Sequence, residues 1–118
     1  MWVIEYYEAA DGTCPTKEFL NSLHKEKELP YVIDKIDLLA ELGYKLQRPH
    51  ADILEDGIYE LRVRLQHRQF RILYFYFFQD KIIFSHGLKK NDKKVRTAEI
   101  EKAKRHKLDY FSKHERRK

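Results

Sequence analysis

The stretch YELRVRLQHRQFRILYFYFFQDKIIFSHGL, residues 59–88, holds three apolar runs separated by minimal turns. In residues 59–66 the side chains alternate strictly: Tyr59, Leu61, Val63 and Leu65 against Glu60, Arg62, Arg64 and Gln66. A period of two is the mark of a strand with one buried and one wet face. Residues 70–78 are apolar on both faces apart from Arg71, which predicts a central strand. Residues 81–88 follow a tight Gln79-Asp80 turn and predict a third strand. Connections this short predict an antiparallel meander.

Working outward, residues 1–7 (MWVIEYY) are aromatic and β-branched, so they read as another strand. Residues 10–13 form a turn. Pro15 suits the first position of a short helix with Phe19, Leu20 and Leu23 on one face. Pro30 opens a second helix running to about Leu46. Val32, Ile36, Leu39, Gly43 and Leu46 form its stripe, and Asp34, Lys35, Asp37 and Glu41 lie opposite. Gly57 ends a polar turn before the meander. A last helix begins at Thr97, a good N-cap, with Glu99 in the first turn where the helix dipole favours a carboxylate. Ile100, Ala103, Leu108 and Phe111 line it thinly, and Lys102, Lys104, Arg105 and Lys107 cover the rest. The expected order is β-α-α-β-β-β-α. It describes an α+β domain over residues 1–118: an antiparallel twisted sheet, an N-terminal helical hairpin on one face and a C-terminal basic helix, with residues 112–118 a basic tail.

The 118 residues suit one domain, and 42% apolar content suits a packed core. The lone Cys14 excludes an internal disulfide and fits a reducing compartment. Residues 1–7 do not read as a secretory leader, and no apolar run has the length of a membrane span, so a cytoplasmic protein without a membrane partner is expected. Charge is uneven. Residues 1–85 carry 11 Lys/Arg and 14 Asp/Glu, and residues 86–118 carry 13 and 5, giving −3 and +8. Basic charge gathered in one segment points to a polyanion or an acidic protein as partner.

No phosphate-binding glycine loop, dinucleotide motif, zinc spacing or nucleophile elbow is present, so neither a cofactor nor a metal is expected. Arg71 interrupts an apolar run and must find an anion or water, because an unpaired buried charge is costly. It is expected either to grip a phosphate or to form a structural ion pair with Glu60 or Glu5. Lys89 and Lys90 lie on the sheet rim, followed by Lys93 and Lys94. His86 shares a strand face with Ile82 and Phe84, which reads as a packed core histidine, and the nearby lysines keep it a candidate for proton transfer. His50 and His67 read as loop histidines. Tyr59 and Tyr110 are candidates to stack on a splayed base, with core packing as the alternative. Such groups suit RNA cleavage by internal attack of the ribose 2′-hydroxyl, which needs a base, an acid and positive charge on the phosphorane.

Residues 58–65 (IYELRVRL), 69–77 (QFRILYFYF), 81–90 (KIIFSHGLKK) and 99–110 (EIEKAKRHKLDY) resemble the HigB-type branch of the RelE toxin superfamily, many of whose members are phage-derived. The resemblance implies a RelE-like sheet with helices on one face and an RNA-facing groove on the other. It implies cleavage of messenger RNA on the ribosome and neutralisation by a helix-turn-helix, HigA-like antitoxin. By position, Arg71 matches the superfamily's phosphate-binding arginine, Arg62 the arginine of the Glu-Leu-Arg strand, Lys89 and Lys90 the basic pair, and His86 the family histidine. These five are the expected catalytic set, with Arg64, Lys93, Lys94, Lys104, Tyr59 and Tyr110 as RNA contacts. Leu88 stands where the family often has an aromatic, and Asn91 and Asp92 where it often has Thr and Pro. Relatives of ParE type share the fold and poison DNA gyrase without cutting RNA, and a degenerate toxin would keep only its antitoxin partner.

Overall fold

β4 (Arg68–Phe77) is the spine of the molecule, and its sequence explains why. Phe70, Ile72 and Tyr74 are buried in one apolar cluster, and Leu73, Phe75 and Phe77 in another. A strand apolar on both faces is stable only when both are covered, and each large side chain buried this way contributes roughly 1.5–3 kcal/mol.

The computed structural model describes residues 1–90, 95 and 97–114, with Lys90 given by its backbone alone. The other elements are β1 (Val3–Tyr6), α1 (Pro15–Asn21), α2 (Leu29–Leu42), a 3-10 turn (Gly43–Lys45), β2 (Ala51–Glu55), β3 (Ile58–Leu65), β5 (Lys81–Lys90) and α3 (Thr97–His114). They make a mixed α+β fold whose five-stranded sheet runs β1-β5-β4-β3-β2, with β4 at its centre as expected. No described helix is long and apolar enough to cross a membrane.

Three features differ from the sequence reading. β2 was read as part of a polar turn, yet it pairs antiparallel with β3. Asp56 and Gly57 both take positive φ, 52° and 77°, which makes the tight two-residue hairpin turn that joins them. The sheet is not antiparallel throughout, because β1 lies parallel to β5, Val3 beside Lys81 through Tyr6 beside Phe84. The helical hairpin carries the chain from β1 across the sheet, so β1 becomes an edge strand rather than half of a hairpin. Finally, α2 stops at Leu42. Gly43, counted in the apolar stripe, takes φ +53 and ends the helix, and a Cβ there would stand 2.0 Å from the Trp2 ring.

The helices divide the two faces of the sheet. α1 and α2 cover one face, where Phe19, Val32, Ile36 and Leu39 meet Leu61, Phe70, Ile72 and Phe84. Gly87 makes room for this packing, since a Cβ would stand 2.2 Å from the Phe19 ring. α3 lies on part of the opposite face through Ala103 and Tyr110, so that face is not left open to solvent along its whole length.

A β-bulge fixes how α3 docks. The register skips between Leu73, paired with His86, and Tyr74, paired with Phe84, so Ser85 is the extra residue. Ser85 and His86 therefore both turn toward α3, where strict alternation would have separated them. His86 Nε2 lies 2.9 Å from Glu99 Oε1, and Ser85 Oγ lies 2.8 Å from Nδ1 of both His86 and His106. Counting donors orders the chain: His106 Nδ1–H donates to Ser85, whose hydroxyl donates to His86, whose Nε2–H donates to Glu99. Tyr7 adds a hydrogen bond to Asp109 at 2.7 Å and stacks on His106 with ring centroids 4.1 Å apart.

Both histidines are held in their neutral forms. Burial pushes His86 below its ordinary value against the opposing pull of Glu99. Burial first, then the repulsion a second imidazolium would meet at His86 and the charge of Lys102, push His106 down to about 4. A base whose folded pKa is depressed contributes stability above its ordinary pKa and loses it as the pH falls toward the folded value. The melting temperature of the wild type should therefore fall as pH drops from 6.5 to about 4, and His106→Gln should make that fall shallower. Equal slopes in thermal melts of the two proteins would show that His106 does not carry the effect.

Candidate functional site

Arg62 on β3 and Arg71 on β4 are cross-strand partners in the sheet register. Two like charges directly opposite repel. The sequence answers with Glu60, two residues before Arg62 and on the same face. Its carboxylate takes Arg71 Nε on Oε1 at 2.9 Å and Arg62 Nε on Oε2 at 2.8 Å. Arg62 Nη2 reaches Asp52 Oδ2 at 3.2 Å, and Arg48 Nε reaches the same oxygen at 2.8 Å. Glu60 and Arg71 are buried, and the Arg62 side chain is 28% exposed. The expected alternative for Arg71, a structural ion pair with Glu60, is thus present, and the same carboxylate keeps Arg71 beside Arg62.

These arginines open onto a cavity of about 610 Å³ lined by Lys35, Pro49, His50, Arg62, Arg64, Gln69 and Arg71. Among the described residues four cationic side chains line it; Glu60 holds Arg62 and Arg71, and Asp52 holds Arg62, from outside the lining. Arg64 is exposed and has no carboxylate partner among the described residues. Lys35 Nζ lies 2.8 Å from His50 Nδ1. An ammonium can only donate, so Nδ1 accepts and the ring proton sits on Nε2. The cavity is therefore rich in hydrogen-bond donors and positive in charge, the chemistry of an anion site. Among the described residues no group of three or more His, Cys, Asp or Glu is placed to hold a metal ion.

The expected site residues divide. Arg62, Arg64 and Arg71 come together. Lys89 pairs in register with Phe70, on the hairpin side, where its charge acts with Arg68 on Glu28. His86 does not share a face with Ile82 and Phe84, because the bulge at Ser85 turns it under α3. Tyr59 packs on the hairpin side against Tyr74 and Tyr76. Tyr110 is buried against Phe75 and Phe77 and donates to Glu5 at 2.5 Å. Lys104 is held by Glu55, Asp56 and Glu101 at 2.7, 2.8 and 3.1 Å, and those bonds raise its pKa. Lys90 pairs in register with Gln69; its side chain, with Lys93 and Lys94, lies outside the described residues.

The sequence names Glu60 as an ion-pair partner for Arg71 but does not point to Lys35, His50 or Gln69 as site residues. His50 does lie in a turn, as expected, and the pairing of β2 with β3 brings it to the cavity, with Arg62 N donating to His50 O at 2.8 Å. The Asp56-Gly57 pair, a strong hairpin signal, could have revealed that strand.

Removing one partner of a buried ion pair leaves the other charge uncompensated, which costs about 3–5 kcal/mol. Glu60→Ala should lower stability by about that amount in urea unfolding, since it removes the buried carboxylate that two guanidiniums share. A loss below about 1 kcal/mol, as for a solvent-exposed pair, would refute the clamp.

The profile of a family described as Phage derived protein Gp49-like matches residues 18–107, which take in α2, β2 to β5 and every residue lining the cationic cavity. No curated protein matches the chain. The match spans most of the sequence, and the chain belongs to the phage-derived Gp49-like family, a RelE/toxin-like group.

Proposed function

We propose that this chain is the toxin of a type II toxin–antitoxin pair, a ribosome-dependent endoribonuclease of HigB-like type that cuts messenger RNA by attack of the 2′-hydroxyl. The observation that carries the reading is convergence: Arg62, Arg64 and Arg71 from two strands and the Lys35–His50 pair line one cavity. Family membership supports a toxin, and the donor set supports a phosphate as ligand.

The reaction runs as follows. The 2′-oxygen bonds to phosphorus, its proton leaves to a base, and the P–O5′ bond breaks as O5′ takes a proton. Negative charge grows on the phosphorane oxygens between these events. Arg62 and Arg71 cannot swing away, because one buried carboxylate holds both at Nε. Donors fixed before the reaction stabilise developing charge without reorganising. His50, whose Nδ1 is engaged by Lys35, lines the same cavity. The substrate is messenger RNA on the ribosome, with contacts to ribosomal RNA, and the inhibitor is a helix-turn-helix antitoxin of HigA-like type acting in the cytoplasm.

One observation favours a second reading. Glu60 already satisfies part of both guanidiniums, as a purely structural cluster would. A non-catalytic role, either ParE-like poisoning of gyrase or partnering of an antitoxin alone, would need no more than that.

Arg64→Ala separates the readings, because Arg64 is exposed and stands outside the Glu60 clamp. Expressed in a bacterium, the wild type should arrest growth and create new messenger RNA 5′-ends, and Arg64→Ala should cut their yield by roughly 10²-fold, the cost of one lost transition-state donor. Arrest with DNA breaks and no new ends would establish the gyrase reading. No arrest would establish the degenerate one.

A further inference from the structure

We propose that a second cavity, beside the cationic one, is a nucleobase subsite; this rests on the RNA reading above and assigns a place to the part of a nucleotide that the cationic cavity does not take. The cavity is about 370 Å³ and lies between the 3-10 turn and β2. Leu46 and Ala51 give it an apolar floor, Tyr44 and Tyr59 its aromatic walls, and Gln47 and Arg48 a polar rim. A base is a planar, apolar-faced ring with a hydrogen-bonding edge, and this is its complement.

Tyr44 makes the case. It is 57% exposed, yet its ring is braced from within. It stacks on Tyr76 with centroids 3.9 Å apart and meets Trp2 edge-on at 5.2 Å. A lone exposed tyrosine carries little meaning, since large apolar surface is common on any protein. A tyrosine held by two further rings is a fixed platform, so a ligand stacking on it does not bear the cost of ordering it.

The second observation is the link between the two cavities. Residues 47–52 form a shared wall: Pro49 and His50 face the cationic side, and Arg48 and Asp52 the aromatic side. Asp52 Oδ2 accepts from Arg48 Nε at 2.8 Å and from Arg62 Nη2 at 3.2 Å, so one oxygen ties the two sides together. A phosphate gripped at Arg62 therefore lies across this wall from the aromatic platform, at the β2 edge of the sheet. An isolated anion would use only the first cavity, and an apolar peptide only the second. A nucleotide uses both.

The test compares two deoxyoligonucleotides of equal length, one bearing bases and one abasic; neither has the 2′-hydroxyl that cleavage needs. Binding to the full chain is followed by anisotropy, and Trp2 fluorescence reports on Tyr44, which its ring touches. The base-bearing strand should bind about 5- to 150-fold tighter, the worth of one stacked base. Tyr44→Leu should abolish that preference and leave the abasic affinity unchanged, and Tyr44→Phe should keep the preference. Arg64→Ala should weaken both strands alike. Equal binding of the two strands, or a preference that survives Tyr44→Leu, overturns the subsite and leaves the phosphate reading standing. Failure of the wild type to bind either strand overturns both.

Discussion

One buried carboxylate, Glu60, held between two cross-strand guanidiniums is the constraint on which the cationic end of this molecule is built. Arg62 and Arg71 are placed opposite each other by the same register that sets Leu61 beside Ile72 and Val63 beside Phe70 in the core. A slip by one residue would relieve the charge repulsion but would turn every core side chain of β3 outward. The register is thus imposed by the apolar face, and the polar face must live with its consequences. Glu60 makes this tolerable by satisfying both Nε groups at once. With Asp52 also on Arg62, the clamp stabilises the strand pair, and Lys35 and Arg64 add the positive charge that Glu60 and Asp52 do not offset.

The same face carries two incompatible demands, and the sheet separates them along its length. Toward Leu73, Phe75 and Phe77 it is apolar and takes α3. Toward Arg62, Arg64 and Arg71 it is cationic and, among the described residues, lines a cavity. The bulge at Ser85 lies near the boundary and gives α3 a polar anchor of Ser85, His86, His106 and Glu99. Beyond the last pairing of β2, where His50 O accepts from Arg62 N, β3 becomes an edge and the wall recedes. Among the described residues the cavity therefore lies beyond both α3 and β2.

Sequence alone revealed most of this frame. Strict alternation at residues 59–66 and the doubly apolar run at 70–78 identify the two strands that carry the arginines, and Arg71 stands out because it breaks an apolar run. Three things were hidden. The parallel pairing of β1 depends on where two helices return the chain, which no local pattern encodes. The orientation of His86 depends on a bulge, and periodicity arguments assume none, so Ile82 and Phe84 gave a false guide to its face. His50 needed a long-range pairing to reach the cavity, and the Asp56-Gly57 turn that creates the pairing was read as polar connection rather than as a hairpin.

The distribution of charge gives the sharpest contrast between sequence and structure. The chain's positive excess lies in residues 86–118, yet among the described residues the cationic groups lining the cavity, Lys35, Arg62, Arg64 and Arg71, come from the net-acidic residues 1–85. Described lysines of the basic segment serve other ends: Lys104 ties α3 to the β2–β3 turn, and Lys113 pairs with Asp109 at 3.0 Å. The two sets of charges act over different ranges. A net charge of +5 raises the local concentration of a polyanion over distances set by the Debye length, about 8 Å in physiological salt. Orientation at a single phosphate requires donors held rigidly at hydrogen-bond distance, and rigidity comes from the sheet and from Glu60, not from charge excess. A segment rich in lysine therefore marks what kind of molecule approaches, whereas a lone arginine inside an apolar strand marks where it is held.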